Sequence, residues 1–328
     1  MSVRYRSLLP QDVPSLVTQV STHPILGARY GSLIDDFGEA VSCSLGRNYE
    51  VACAFEEVDG SGTRFLGAAL AVFVTAAFLR EVKTTPRFWV GPELVNRILH
   101  GASPLLSDGD VGAANSGTGL NLLIWNLTIH PTDLNRAEVG VAVSYAFFAN
   151  FLGFQLTELL AQADCLEHMQ AGRNGGCLYF DSAGGCYSDF PEVNSCNFED
   201  EPRNVGLERS SPYTLGNLWA LFSCAAPQVG FSLSEQRMLS AAFKGRTDED
   251  LSALLNISLT GVKKRWRSIY QRVAVTLPHV FDGQSAGQAW VLERGKERRR
   301  ILLAYLRDHP EELRPVSRKL LRGYAARS

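Results

Sequence analysis

Between Ser258 and Arg272 a run of hydroxyls and cations, SLTGVKKRWRSIYQR, gathers the side chains of this 328-residue chain best suited to chemistry on an anionic polymer. If the run is helical, a turn of about 100° per residue puts Val262, Trp266, Ile269 and Val273 on one narrow inward face. The opposite face then carries Thr260, Lys264, Arg267, Ser268 and Gln271, with Lys263, Arg265 and Arg272 on its flanks. Ammonium and guanidinium groups hold phosphate oxygens, and the same residue types reach base edges in a major groove. On this reading Thr260, Lys264 and Arg265 lie near base edges, Ser258, Lys263, Arg267 and Arg272 hold phosphates, and Ser268 shares their face.

Elements must place that face, and the residues before it supply them. Ser232 followed three residues later by Glu235 is a capping box that opens a first helix, in which Met238, Leu239, Ala242 and Phe243 recur at helical spacing. Gly245 sits where a left-handed residue ends a helix without steric cost. Thr247 caps a second helix with Asp248, Glu249 and Asp250 against the positive end of its dipole and Leu251, Leu254 and Leu255 as its buried stripe. Asn256-Ile257 makes the turn and Ser258 caps the third helix. A basic helix face alone is usually a solvated one. Three capped helices at this spacing, with the cations confined to the third, argue instead for a DNA-reading helix-turn-helix.

Phe231–Val273 resembles the C-terminal DNA-binding domain of the LuxR/NarL family of transcriptional regulators, without gaps. The resemblance lies in Glu235, Gly245, Leu251, Leu255, Ile257-Ser258, Val262-Lys263, Ile269-Tyr270 and Arg272-Val273. It implies a regulator that binds double-stranded DNA as a homodimer. Two positions depart from the pattern: Gly261 replaces a threonine, and Glu249 stands where a lysine is common, which removes one phosphate contact.

Charge is distributed to match. From residue 231 onward 19 Lys+Arg face 10 Asp+Glu, a net of +9, while the first 230 residues carry 13 against 24, a net of −11. The basic part should seek nucleic acid and the acidic part avoid it. A composition 45% hydrophobic and 20% charged is that of a water-soluble globular chain. Seven cysteines (Cys43, Cys53, Cys165, Cys177, Cys186, Cys196 and Cys224) at irregular spacing, with no CxxC, read as reduced thiols in a cytoplasmic, nucleoid-associated protein without a metal site. The longest apolar run, Phe65–Leu79, is short for a bilayer span and reads as a strand entering a helix, so no membrane partner is expected.

Upstream of residue 181 the patterns alternate. A strand at Arg4–Leu8 precedes Asp12-Val-Pro14, a helix start. Helical Ile34–Leu45 follows, and two strands flank the turn Asp59-Gly-Ser-Gly62. Residues 80–118 read as irregular. Next come a strand at Leu120–Ile129, a loop, a helix near Val139–Phe151, and Gly153 restarting a strand. This order resembles a GNAT acyltransferase fold over residues 3–181. That resemblance implies an anion-binding loop at the helix start, here Leu134–Ala142, whose matching residues are Arg136, Gly140 and Ala142. Glu138 places a negative charge there, and the preceding strand offers no carboxylate as general base. His130, the one titratable side chain nearby, reads as structural.

The expected architecture is therefore α+β and multidomain. It has a mixed α/β GNAT-like sensing or dimerisation domain at 1–181, a linker at 182–230, an all-α helix-turn-helix domain at 231–276 and a basic helical extension at 277–328. The expected function is sequence-specific transcriptional regulation by a homodimer, with a non-catalytic first domain, no resident cofactor, and a small-molecule or acyl-CoA-like effector. The alternative is an active GNAT-type acyltransferase targeted to DNA.

Overall fold

The computed structural model describes residues 2–45, 51–60, 62–181, 185–188, 191, 198, 203–211, 216–243, 245–282 and 294–316. The chain divides into two compact units. The first comprises Met1–Ala114, Thr118–Phe151 and Gln155–Phe222, and the second Asn115–Gly117, Leu152–Phe154 and Ser223–Ser328. The fold is mixed α/β, with an eight-stranded sheet in the first unit.

Strand β1 (Ser2–Ser7) leads through a tight turn into α1 (Val13–Thr22), whose first turn holds Pro14, where a missing N–H costs nothing. Arg6 fixes this corner. Its guanidinium grips Asp12 with two hydrogen bonds, at 2.6 and 2.9 Å, and reaches Glu56 on the adjoining strand at 2.7 Å. Those bonds hold the Asp12 carboxyl below the usual carboxylate range. Helices α2 (Pro24–Tyr30) and α3 (Ile34–Ser44) follow. Strands β2 (Val51–Asp59) and β3 (Gly62–Val74) then pair across the expected turn, and α4 (Ala76–Thr84) starts at the cap Thr75. The apolar run is thus a strand and a helix, and no helix among the described residues is long and apolar enough to cross a membrane.

Residues 80–118 are more ordered than the sequence suggested, because they also hold α5 (Val90–His100) and α6 (Asp108–Asn115). Pro92 occupies the first turn of α5, where proline is tolerated, and Pro86 and Pro104 lie outside both helices. The unit is completed by β4 (Leu120–Ile129), the short α7 (Pro131–Leu134), α8 (Ala137–Phe151), β5 (Leu156–Ala163), α9 (Leu166–Asn174), β6 (Leu178–Phe180), β7 (Cys186–Tyr187) and β8 (Arg203–Glu208).

Sheet order is β1-β2-β3-β4-β5-β8-β6-β7, antiparallel throughout except for β4 and β5. Strand β8 corrects the reading of 182–230 as a linker: it lies inside the sheet, pairing with β5 from Glu158↔Glu208 to Ala163↔Arg203 and with β6 on its other edge. Its sequence, Arg-Asn-Val-Gly-Leu-Glu, holds only two large apolar residues, and pairing rather than composition makes it a strand. Helices α1, α2, α3 and α5 cover one sheet face through Leu16, Val20, Tyr30, Phe37 and Leu94, against Leu123 and Trp125 of β4. On a second core, Val139, Ala142 and Ala146 of α8 pack against Phe55, Leu66 and Ile129. Each fully buried valine, leucine, isoleucine or phenylalanine among them contributes about 1.5–3 kcal/mol before chain entropy is set against it.

The second unit is helical: α10 (Leu233–Phe243), α11 (Asp248–Leu255), α12 (Leu259–Thr276), α13 (His279–Asp282) and α14 (Arg294–Asp308). Both arms of the Ser232–Glu235 box form, with Glu235 Oε2 accepting from the Ser232 N–H at 2.8 Å and the Glu235 N–H donating to the hydroxyl at 3.4 Å. Gly245 ends α10 at φ +83°, its N–H bonding Ala242 O while that of Arg246 bonds Ala241 O. Asn256, at φ 49° and ψ 49°, ends α11 in the left-handed conformation that asparagine tolerates. Leu251, Val262, Trp266, Ile269 and Val273 form one core with Met238 and Leu239. Leu254, expected in the buried stripe, is 63% exposed, because α11 is short and only Leu251 turns fully inward.

Among the described residues of the expected basic helical extension, Leu302, Leu306 and Leu313 join that core. The tail cations Arg318, Lys319, Arg322 and Arg327 lie outside the described residues.

Candidate functional site

Ser258 caps α12, its Oγ accepting the Gly261 N–H at 3.1 Å, and so sets the helix phase that exposes one face. Thr260, Lys263, Lys264, Arg267 and Ser268 are all exposed, and Arg265 is half-buried at the edge of the same face. Among the described residues none of these four cations has an ion-pair partner. At the start of α11 two of the three carboxylates are consumed locally. Asp250 accepts the Thr247 N–H at 3.0 Å, and Asp248 accepts from Trp266 Nε1 at 3.2 Å and from Arg299 at 2.9 Å. Glu249 alone of the three stays exposed without such a bond, so the acidity expected to oppose an anion is smaller than the sequence implied.

Arg272 does not join the set. Its guanidinium donates to Gly230 O at 3.1 Å and to Glu235 Oε1 at 3.2 Å, tying the end of α12 to the start of α10. Glu235 is buried and needs a counter-charge, so Arg272 is committed to structure. The cations of α14 are partly spent as well. Arg299 lies over the Trp266 ring at 4.8 Å while bonding Asp248, Arg298 lies over Phe281 at 5.8 Å, and Arg300 pairs with Glu297.

Compared with known proteins, the chain matches no family model, no curated protein and no solved structure.

In the first unit the expected anion loop is closed to anions. Arg136 donates to Glu57 at 2.6 Å, to Glu138 at 2.8 Å and to Asp133 at 3.1 Å, while Arg64 shares Glu57 and Asp133. Three carboxylates thus surround two guanidiniums, and the Arg136 hydrogen bond holds the Glu57 carboxyl below its usual range. Gly140 lies inside α8 rather than in a loop, and Ala142 is buried in the core. The three residues do not form an anion cradle. His130 bonds the Thr132 hydroxyl through Nδ1 at 2.8 Å in the turn that follows β4.

A different feature was missed in the sequence. Strand β4 stays in register with β5 only as far as Ile124↔Ala161, and on its other side the register with β3 jumps so that Trp125 is an extra residue, a β-bulge. Past the bulge β4 loses its β5 partner, and a cavity of about 490 Å³ lies among β4, β5, α8 and α9. Leu127, Val143, Phe147, Phe151 and Leu159 give it apolar walls. Its polar lining divides into satisfied and unsatisfied groups. Gln162 accepts the Val90 N–H at 2.9 Å and donates to Phe88 O at 2.8 Å and Asn204 Oδ1 at 3.0 Å. Asp164 is paired with Arg29, whose guanidinium lies over the Trp89 ring at 3.9 Å. Asn126, 3% exposed, has no hydrogen-bond partner at either amide atom among the described residues, and the same holds for His168 Nε2. Burial lowers the His168 imidazole, with Asp164 only partly opposing, so its neutral form is favoured. A visible signal was the asparagine within Leu-Leu-Ile-Trp-Asn-Leu, a polar residue where a buried strand should be apolar.

Proposed function

We propose that this chain is a sequence-specific transcriptional regulator of the LuxR/NarL helix-turn-helix type. It acts on double-stranded DNA as a homodimer in the cytoplasm, at the nucleoid. The observation that carries the reading is the α12 face: Thr260, Lys263, Lys264, Arg267 and Ser268 exposed together on a capped helix whose other face is core. A helix so mounted can enter a major groove, with Lys264, Arg265 and Thr260 toward base edges and Ser258, Lys263 and Arg267 toward phosphates. Lys263→Ala should weaken binding to a mixed-sequence duplex and reduce the slope of log affinity against log salt by about one. Anisotropy titrations at several salt concentrations measure this, and an unchanged slope removes Lys263 from the phosphate set. Sequencing of the DNA recovered with the protein from cells then supplies the site against which Lys264→Ala should lose discrimination.

The first unit fits a GNAT-like scaffold that senses rather than catalyses. The reading draws support from the insertion of β8 between β5 and β6 and from the parting of β4 and β5. Catalytic acyl transfer, the second reading, would use that same parting. It is disfavoured by a β4 without Asp or Glu and by an Arg136 already bound to three carboxylates. Turnover of acetyl-CoA with an acceptor amine would restore it.

A further inference from the structure

The cavity between β4 and β5 combines three properties that together define a ligand. Its walls are mostly aliphatic and aromatic, and its volume is within the range that encloses a drug-sized molecule. Of its charged residues, Asp164 is neutralised by Arg29 and Arg136 by Glu57, Asp133 and Glu138, while Glu167 adds a carboxylate that repels anions. Among the described residues no unpaired cation lines it to hold a phosphate or a carboxylate. Its unsatisfied groups are neutral: the whole carboxamide of Asn126, one donor and one acceptor side by side, one ring nitrogen of His168 and the indole N–H of Trp125. A buried amide without a partner is destabilising, so the fold holds Asn126 at a standing cost that a matching group in the cavity would remove.

We propose that this cavity binds an uncharged, largely apolar small molecule bearing an amide-like donor–acceptor pair, which docks on Asn126 with His168 as a second contact. Coenzyme A and other phosphate-bearing ligands are disfavoured, because the lining offers no unpaired cation and adds the Glu167 carboxylate. The proposal rests on the reading of the first unit as an effector-binding module, and it makes the bound compound a neutral amphiphile rather than an acyl donor.

Displacement of the neutral fluorophore N-phenyl-1-naphthylamine from the full-length protein tests it without DNA, so failure of the DNA-binding reading leaves the outcome interpretable. Octanamide should displace the dye at least about tenfold more effectively than octanoate, the same chain with a charge in place of the amide, and acetyl-CoA should not displace it. In Asn126→Leu the dye should still bind, octanamide should lose about tenfold, and the melting temperature of the ligand-free protein should rise, because an unsatisfied amide has been replaced by an apolar group of similar size. A merely structural Asn126 would give a lower melting temperature and no change in ligand preference. Equal displacement by octanamide and octanoate, displacement by acetyl-CoA, or no dye binding to the wild-type protein would each overturn the assignment.

Discussion

Two clusters of cations in this protein look alike in sequence and differ in what surrounds them. At Arg64 and Arg136 every charge is answered: Glu57, Asp133 and Glu138 take up the guanidiniums at 2.6 to 3.2 Å, and the local balance is negative. On α12 Lys263, Lys264 and Arg267 project from a helix whose nearest acidic neighbours are spent elsewhere, Asp248 on Trp266 and Arg299, and Asp250 in a helix cap. A paired arginine builds its own fold, whereas an unpaired, exposed row of cations retains its field for something outside it. The distinction lies in neighbours, which spacing alone does not reveal.

The contrast breaks most sharply if the α12 row is emptied. Replacing Lys263, Lys264 and Arg267 together by alanine should raise the dissociation constant for duplex DNA by about 100-fold or more at physiological salt, because each contact is worth on the order of 1–3 kcal/mol. The melting temperature should stay nearly constant, since exposed side chains without partners contribute little to the fold. The same treatment of Arg64 and Arg136 should do the reverse, lowering the melting temperature and leaving DNA affinity unchanged. Loss of DNA binding in the second variant would dissolve the comparison.

Arg272 sits on the boundary between the two classes, which makes its substitution the next test. With Glu235 buried and bonded to Ser232, Arg272→Ala leaves a carboxylate without its counter-charge and should destabilise the second unit by about 1–2 kcal/mol, discounted because the guanidinium is partly exposed. At a temperature where the variant is folded, the salt slope of DNA binding should equal that of the wild type. A slope reduced by one would return Arg272 to the phosphate contacts that the sequence suggested.

Local signals were legible where local chemistry decides structure. Ser232, Thr247 and Ser258 mark three helix starts, Gly245 and Asn256 two helix ends, and the Asp59–Gly62 turn a hairpin, because caps and left-handed residues act within a few positions of themselves. What was not legible depends on partners distant in sequence. Strand β8 is ordered by β5 some 45 residues earlier, Arg272 is claimed by Glu235 37 residues away, and Arg136 is claimed by Glu57 79 residues away. Leu302 and Leu306 turned an apparent basic tail into core for the same reason. The cavity is a harder case, since it follows from a single extra residue, Trp125, that unpairs two strands.

The smallest expected effect concerns proton linkage, and it separates the two units by sign. Burial lowers the imidazoles of His23 and His168 in the first unit below 6.5. The folded state then binds fewer protons than the unfolded one, so stability is full above pH 6.5 and declines as pH falls from there toward the folded values. Glu158 in the same unit is raised by burial against its bonds to Lys83 and acts in the opposite sense, which keeps the net change small. In the second unit burial raises Glu312 above 4.5 despite hydrogen bonds from the Gln228 and Val229 N–H groups. There the stabilising contribution is full below 4.5 and is lost as pH rises through the folded value. Hydrogen exchange read separately on peptides from β4 and α12 should therefore show the first unit opening more readily at pH 5.5 than at pH 7.5, by about 1 kcal/mol or less, and the second unit unchanged or slightly tighter. His168→Gln should remove part of the acid sensitivity of β4 and none of the response of α12. If the two units soften together on acidification, buried histidines do not set the response of the first unit, and the neutrality assigned to the cavity loses its independent support.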